Sequence, residues 1–335
     1  MTTQHPAFPS ANLPEHDVAH DMHDVQGLHT APTLHHVVCP GASRTHAQGH
    51  RMAYWRWGDA ANPRVLVCVH GLSRQGRDFD TLARALCDDY QVICPDVVGR
   101  GHSDWLADPQ GYQVFTYVSD MVALLQQLRQ QLGQSGSPAP MEIDWVGTSM
   151  GGLIGMGLSS VPPEVSGVSL RRFVMNDVGP RLRYEALVRI GDYLGQPVHF
   201  DTEQQAADYL WSISTGFGPH TPEQWLALSR PLLRPAADGH GLVLHYDPTI
   251  AQPFRSVTQE GTAAGEAALW QAYDAMRCQL LLLRGAQSDL LDAVTAQDMT
   301  QRGPRAQLRT FEGIGHAPTL IAEDQLQAVR EFLLA

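Results

Sequence analysis

One serine of this 335-residue chain lies in a setting suited to nucleophilic chemistry. Ser149 is the centre of the run GTSMG at 147–151, which has the spacing G-x-S-x-G, with apolar residues before it and small residues after it. These features predict a strand, a tight turn and a helix, because glycines on both sides allow the close backbone contacts that such a turn needs. The peptide N–H of Met150 would then lie at a helix N-terminus, where it could stabilise an oxyanion. The same spacing also occurs by chance in glycine-rich chains, so the prediction depends on partners elsewhere in the sequence.

A serine hydroxyl is a weak nucleophile that needs a base within hydrogen-bond reach and a carboxylate to orient that base. His316 follows the last predicted strand, in the run GIGHAP at 313–318, and is the expected base. Asp289 is the preferred acid, because it ends a short turn after the run QLLLL, directly before the strand that leads to His316. Asp177, which also follows a predicted strand, is the alternative acid. It could instead brace the point where the chain leaves the sheet by accepting backbone N–H groups.

A second glycine-containing turn, HGL at 70–72, follows another predicted strand. It can direct the N–H of Leu72 to the same point as the N–H of Met150, and the two donors would form an oxyanion hole. His70 is expected to be structural and to hydrogen-bond the backbone. Arg74 is a candidate for binding a substrate carboxylate, with an ion pair to one of the aspartates at 78 and 80 as the alternative.

The segments around these residues alternate between strands and amphipathic helices. Continuous apolar runs such as RVLVCV at 64–69 and QLLLL at 279–283 are typical of strands buried on both faces. The alternation predicts a parallel sheet with right-handed crossovers, in which the loops after the strands converge on one edge. Residues 46–180 and 266–335 are therefore assigned to an α/β core, and the serine, acid and histidine are expected to meet at that edge.

Two other segments do not follow this alternation. Residues 181–265 indicate a mainly helical insertion, with a hairpin around Asp238, that covers the strand ends. Its aromatic side chains are expected mostly to pack the insertion, and Trp211 and Trp225 are taken as candidate substrate-binding residues. Residues 1–45 are poor in aliphatic side chains and rich in histidine, and they are expected to form a mobile extension rather than a metal-binding tail.

Composition argues against several classes of partner. The net charge of −12 disfavours binding to nucleic acid or anionic membranes, and no apolar run reaches transmembrane length. The five cysteines show no metal-ligand spacing, and the N-terminus shows no signal peptide, so a reducing, cytoplasmic location is expected. We therefore expect a small-molecule substrate and neither a metal nor a cofactor.

These motifs make the sequence resemble the α/β-hydrolase-fold serine hydrolases over about residues 45–335. The resemblance rests on six runs, HGLSRQGRDFD (70–80), PDVVGRGHSD (95–104), GTSMGG (147–152), NDVGP (176–180), GAQSD (285–289) and GIGHAP (313–318). It implies a mostly parallel eight-stranded sheet with helices on both faces and a helical cap inserted after the sixth strand. It also implies hydrolysis of carboxylic esters of small to medium acyl compounds through an acyl-enzyme, as in esterases, lactonases and hydroxyalkanoate-oligomer hydrolases.

Other activities occur among proteins that resemble this fold. C–C bond hydrolases of ring-cleavage products are the main alternative, followed by cofactor-free oxygenases, perhydrolases and non-catalytic ligand receptors. Serine at position 149 argues against epoxide hydrolases and haloalkane dehalogenases, which carry aspartate at the corresponding turn.

Overall fold

The computed structural model describes residues 31–335 and is built around a sheet of eight strands. These described residues form ten strands: β1 Thr33–Cys39, β2 His50–Trp57, β3 Val65–Val69, β4 Gln91–Pro95, β5 Met141–Thr148, β6 Val168–Asn176, β7 Leu233–Pro235, β8 Leu242–Leu244, β9 Gln279–Gly285 and β10 Gln307–Phe311. The main sheet has the order β1-β2-β4-β3-β5-β6-β9-β10, and β7 pairs only with β8. Strand β2 is antiparallel to both of its neighbours, and all other neighbours in the main sheet are parallel. The expected mostly parallel eight-stranded α/β sheet is confirmed.

Eleven α-helices are present in the described part of the chain. They are α1 Asp80–Leu86, α2 Val114–Gln131, α3 Met150–Ser159, α4 Pro163–Ser166, α5 Tyr184–Tyr193, α6 Glu203–Ser212, α7 Pro222–Ser229, α8 Ala251–Arg255, α9 Gln259–Ala275, α10 Ala293–Gln301 and α11 Glu323–Leu334. None of these helices is both long and apolar enough to cross a lipid bilayer.

Helices cover both faces of the sheet because successive strand residues point to opposite sides. Along β3, Val65, Val67 and Val69 pack with residues of α2, α3, α9 and α10, whereas Leu66 and Cys68 pack with residues of α1 and α11. All five residues of β3 are therefore buried, which explains why this strand has an unbroken apolar sequence.

The first strand corrects the expected boundary of the N-terminal extension. Residues 33–39 were expected to lie in a mobile segment, but they form β1 and pair along their whole length with β2. Only Val37 and Cys39 of this strand are buried, so the alternation of apolar residues was too short to indicate a strand at an edge of the sheet. Residues 1–30 lie outside the described residues, and the expected mobility of that part stays a prediction.

The expected helical insertion after the sixth strand is present as a cap between β6 and α9. It contains α5, α6, α7, α8 and the hairpin formed by β7 and β8, which matches the hairpin expected near Asp238. Helix α9 begins at Gln259, earlier than the expected end of the insertion at residue 265, and its Trp270 packs into the core of the main sheet. The cap also has a small apolar core of its own, formed by Ala207, Leu210, Trp225, Leu228 and Leu232.

Candidate active site

The turn between β5 and α3 has the form expected around Ser149. Ser149 has φ 52° and ψ −116°, a sparsely populated conformation for a residue with a side chain, and its N–H donates to the carbonyl oxygen of Asn176 at 2.9 Å. A methyl group on Gly147 would overlap the carbonyl oxygen of Gly151, and one on Gly151 would overlap that of Val69. The turn that presents the serine therefore depends on glycine at these two positions.

A chain of hydrogen bonds runs from this serine to a buried carboxylate. Ser149 Oγ lies 2.9 Å from His316 Nε2, and His316 Nδ1 lies 2.8 Å from Asp177 Oδ2. Asp177 directly follows β6, has φ 55° and is fully buried. When the Nδ1 proton is donated to the carboxylate, Nε2 can accept the proton of the serine hydroxyl. This arrangement can activate the serine for attack on an acyl carbon.

The expectation that Asp289 contacts His316 is wrong. Asp289 lies at the surface, where its carboxylate pairs with the guanidinium of Arg189 from α5 at 2.6 and 3.0 Å. Asp289 is four residues beyond the end of β9, so the turn carries it away from the sheet edge towards the cap.

The turn after β9 instead holds the alternative acid. The N–H of Gly285 donates to Asp177 Oδ1 at 2.9 Å, and the hydroxyl of Ser288 donates to Asp177 Oδ2 at 2.6 Å. This is possible because β6 and β9 are adjacent strands, and the N–H of Asp177 itself donates to the carbonyl oxygen of Leu283. The run NDVGP after the sixth strand marks Asp177 as a candidate acid, but the run alone does not indicate which of the two carboxylates reaches His316.

The two residues whose N–H groups are expected to form an oxyanion hole lie beside Ser149. Met150 is the first residue of α3, so its N–H is one of the donors that a helix N-terminus leaves without an intrahelical partner. Gly71 is so near the serine that a methyl group on it would lie 3.8 Å from Ser149 Cβ. Leu72, the next residue, lines the space beside the serine. The placement is compatible with a pair of donors at this point, and their role stays a prediction.

Two buried side chains, a neutral histidine and an arginine, hold the turn that carries Leu72. His70 Nε2 accepts from the N–H of Val97 at 2.9 Å, which leaves Nδ1 as the donor to the carbonyl oxygen of Gly71 at 2.7 Å. Burial lowers the pKa of His70 to about 3, so the ring is neutral at pH 7, as this bonding requires. Arg100 Nε donates to the carbonyl oxygen of Leu72 at 2.9 Å. The structural role expected for His70 matches these contacts, whereas no local sequence signal indicated Arg100.

Arg74 forms an ion pair with an aspartate, which was the expected alternative to binding a substrate carboxylate. Its guanidinium contacts Asp78 through two hydrogen bonds of 2.6 and 2.8 Å, and it lies 5.5 Å from the ring centroid of Phe217 in the cap. The arginine still lines the space beside Ser149. Its position is therefore fixed mainly by Asp78, and a direct role in binding substrate stays a prediction.

The two tryptophans proposed as substrate-binding residues are part of the cap core. Trp225 is buried and its indole N–H donates to the carbonyl oxygen of Ala207 at 2.8 Å, while Trp211 packs edge-on against it at 5.1 Å between ring centroids. Among the described residues, neither tryptophan lines the two cavities that contain Ser149, so this expectation is wrong. The cap side chains that do reach the cavity include Tyr193 and Tyr209.

Two cavities open from Ser149. The first, which we call the inner cavity, has a volume of about 100 Å³ and is lined by Ser149, His316, Arg74, Arg189, Tyr193 and other residues of the cap and core. The second, the outer groove, has a volume of about 530 Å³ and is lined by Ser149, Met150 and mainly apolar residues such as Leu153, Leu187, Phe254 and Leu269. Leu72 and Ile190 line both. The serine is therefore placed between a small space with charged side chains and a larger apolar one.

One group of described side chains has ligand types and spacing that could hold a metal ion. These are Cys39, His50 and Asp120, whose ligand atoms all lie within 4.8 Å of one another. All three are buried, and His50 Nε2 is 3.1 Å from Asp120 Oδ2, which accounts for the pair as a buried polar contact between β2 and α2. None of the three lines the inner cavity or the outer groove. This group therefore has no part in the arrangement around the serine.

The fold and the site define a class of protein, and comparison with known proteins agrees with it. The chain belongs to the alpha/beta hydrolase family, which residues 66–332 match. It is 51% identical over 285 residues to a 3-hydroxybutyrate-oligomer hydrolase of Cupriavidus necator, with 84% of this chain and 92% of that protein covered.

More distant relatives support the same class. A pimeloyl-[acyl-carrier protein] methyl ester esterase of Photobacterium profundum is 25% identical over 284 residues, which cover 83% of this chain and 97% of that protein. The solved structure of an alpha/beta hydrolase from Novosphingobium aromaticivorans has a TM-score of 0.72 and 34% identity, covering 90% of this chain and 98% of that one. The expected resemblance is confirmed, and the chain is an ester hydrolase of this fold.

Proposed function

We propose that this chain hydrolyses short linear oligomers of 3-hydroxybutyrate, with Ser149, His316 and Asp177 as its catalytic residues. The observation that carries the proposal is the hydrogen-bonded chain from Ser149 Oγ through both ring nitrogens of His316 to Asp177, located where the two cavities meet. The substrate follows from the 51% identity with a hydrolase of such oligomers in Cupriavidus necator. The mainly apolar outer groove supports it, because an oligomer of 3-hydroxybutyrate has a methyl group on every unit and no charge between its ends.

In this proposal, Ser149 Oγ attacks the ester carbon while His316 Nε2 takes the hydroxyl proton. Asp177 fixes the tautomer of the imidazole and stabilises the imidazolium that forms. The N–H groups of Leu72 and Met150 hold the oxyanion. In a comparable site, each such donor lowers the activation barrier by about 3 kcal/mol. His316 then gives the proton to the leaving alcohol. In the second half of the reaction, His316 takes a proton from a water molecule, the resulting hydroxide attacks the acyl carbon, and His316 returns the proton to Ser149 Oγ as the acid is released.

The direct test is turnover of the 3-hydroxybutyrate dimer and trimer by the purified protein. Two other substrates are compared with them: p-nitrophenyl butyrate, and a ring-cleavage product that a C–C bond hydrolase, the alternative activity, would cleave. We expect hydrolysis of the oligomers and of the nitrophenyl ester. Ser149→Ala should abolish both activities together with labelling by a fluorophosphonate. Faster cleavage of the ring-cleavage product than of any ester would overturn the proposal.

Two further expectations belong to this proposal. Ester hydrolysis by a serine needs only water as co-substrate, so activity should survive dialysis against a chelator, and its loss would contradict the expected absence of a metal. A cytoplasmic location is supported by the five cysteines, all of which are free and buried, because unpaired thiols are usual in a reducing compartment.

A further inference from the structure

The position of His316 decides which half of an ester each cavity would hold. The leaving alcohol must receive its proton from His316 Nε2, so its oxygen has to lie within hydrogen-bond reach of that atom. His316 lines the inner cavity together with Ala317 and Pro318, and it is not among the described residues that line the outer groove. Met150, one of the expected oxyanion donors, lines only the outer groove. The alcohol half of the ester therefore belongs in the inner cavity and the acyl half in the outer groove.

The inner cavity is small and contains two guanidinium groups. Its volume of about 100 Å³ is well below the roughly 300–1,000 Å³ of cavities that enclose larger ligands, so it suits one short unit and not a chain. Arg74 and Arg189 both line it. A guanidinium is the side chain best suited to bind a carboxylate, since it offers several N–H donors in one plane.

The two arginines differ in how firmly they are already paired. Arg74 and Asp78 have side chains that are only 10% and 19% exposed, and Arg74 also donates to the carbonyl oxygen of Leu228. Arg189 and Asp289 have side chains that are 43% and 46% exposed, and ion pairs between exposed side chains contribute only about 0–1 kcal/mol. Arg189 can therefore exchange its partner at small cost, whereas Arg74 cannot.

We propose that the inner cavity binds the carboxylate-terminal unit of a 3-hydroxyacid oligomer, with Arg189 exchanging Asp289 for the terminal carboxylate of the substrate. In the last ester bond of a linear oligomer, the alcohol half is the unit that carries the free carboxylate. Cleavage breaks the bond between the acyl carbon and the alcohol oxygen, water supplies a hydroxyl to the acyl carbon, and the proton ends on the alcohol oxygen. The chain thus shortens from its carboxylate end. This inference rests on the proposed oligomer hydrolysis and adds the direction of cleavage and the residue that selects it.

The direction can be tested with the unaltered protein. A 3-hydroxybutyrate trimer labelled with ¹³C only in its carboxylate-terminal unit is hydrolysed to a few per cent, and the products are identified by mass spectrometry. We expect labelled monomer and unlabelled dimer. Unlabelled monomer with labelled dimer would overturn the inference while leaving the proposed function intact. A protein that cleaves p-nitrophenyl butyrate but neither oligomer would overturn both.

The role of Arg189 can be tested through substrate charge. The measured quantity is the kcat/KM for the trimer acid divided by that for its methyl ester, in which the terminal charge is removed. Arg189→Gln should lower this ratio roughly tenfold or more, mainly through the KM of the acid, because it removes a hydrogen bond between charged groups. Asp289→Asn should raise the ratio, because it removes the competing carboxylate.

Opposite effects of these two substitutions distinguish binding from a structural role. If the ion pair merely held the cap in place, both substitutions would change the ratio in the same direction or not at all, and the inference would be overturned. Arg183→Gln is the matched control, because Arg183 precedes α5, pairs with Asp292 of the core at 3.4 Å and does not line the inner cavity. Its ratio should stay within about twofold of that of the unaltered protein.

Discussion

Replacing Asp177 by asparagine tests the proposed acid most sharply. Both oxygens of this buried carboxylate are used, Oδ1 by the N–H of Gly285 at 2.9 Å and Oδ2 by the Ser288 hydroxyl at 2.6 Å and by His316 Nδ1 at 2.8 Å. Every partner is a donor, so an amide, which has one donor group and one acceptor, cannot satisfy all three. The substitution keeps the volume and shape of the side chain while it changes this pattern.

The amide has two possible orientations, and the structure favours the inactivating one. If the NH₂ group replaces Oδ1, it faces the backbone N–H of Gly285, and a buried unpaired donor costs about 1–3 kcal/mol. If it replaces Oδ2, it donates to His316 Nδ1, which must then accept. The ring proton therefore moves to Nε2, the atom that has to take the proton of Ser149. The same substitution in another catalytic triad lowers kcat about 10⁴-fold, and we expect a loss of at least roughly 10³ here.

The assay is kcat on p-nitrophenyl butyrate, with melting temperatures to show that the variants fold. Asp289→Asn is the matched control, since it removes only an ion pair between exposed side chains, and its kcat on this neutral ester should stay within about threefold. A folded Asp177→Asn protein that keeps more than about a tenth of the original kcat would refute the reasoning. So would an Asp289→Asn protein whose kcat falls further than that of Asp177→Asn.

Three further substitutions test the stability of the site and the cap. Gly151→Ala places a methyl group against the Val69 carbonyl oxygen, so we expect a loss of about 3 kcal/mol or more. Since each kcal/mol lowers the melting temperature of a domain of roughly 150–250 residues by about 2–4 °C, a melting temperature within about 2 °C of the original would contradict it. His70 has a pKa of about 3 in the folded chain against 6.5 for the free side chain. Between these two values the unfolded chain is protonated at this histidine and the folded chain is not, so the free energy of unfolding decreases as the pH is lowered, by about 2 kcal/mol at pH 5. His70→Gln should abolish that loss between pH 7 and 5 in urea titrations, and an equal loss in both proteins would contradict the assigned pKa. Trp225→Phe removes the bond to the Ala207 carbonyl oxygen and should lower stability by about 1–3 kcal/mol without changing the preference for butyrate over acetate esters, whereas a changed preference would place the ring at the substrate.

The sequence predicted those parts of the site whose requirements are local. The turn at Ser149 needs glycine at 147 and 151 because backbone atoms of α3 and of β3, respectively, lie where side chains would begin, and this requirement leaves a recognisable spacing. His316 follows the last strand of a parallel sheet, so topology alone brings it to the edge where Ser149 lies. The eight-stranded sheet was predictable for a similar reason, since strands such as β3 are buried on both faces and have unbroken apolar sequences.

The acid and the first strand could not be predicted from local patterns. The choice between Asp177 and Asp289 depends on where each carboxylate points after its strand ends. That direction is set by the φ of 55° at Asp177 and by donors from Gly285 and Ser288, about 110 residues further along the chain. Strand β1 lies at the sheet edge with only two buried residues, so its alternation was too weak to distinguish it from an extension.

The prediction that Trp211 and Trp225 bind substrate is wrong for a different physical reason. A cap helix has one apolar face that packs the cap and another that covers the cavity, and aromatic side chains suit both. Helix α6 carries Tyr209, which lines the inner cavity, and Trp211, which packs on Trp225 in the cap core. Positions two residues apart on a helix point to different sides, but nothing in the sequence indicates which side faces the core of the cap.

The turn after β9 explains how Asp289 can release Arg189 without disturbing the acid. The same five residues hold Asp177 through Gly285 and Ser288 and carry Asp289 to the cap. The turn is fixed by backbone bonds on both sides, from the N–H of residues 286 and 287 to the carbonyl oxygens of residues 311 and 314, and from the N–H of residue 288 to that of residue 285. None of these bonds involves the side chain of Asp289, so its carboxylate can rotate away while the backbone stays in place. A substrate carboxylate on Arg189 would thus change the partner of one surface side chain, and the hydrogen bonds that orient His316 would be kept.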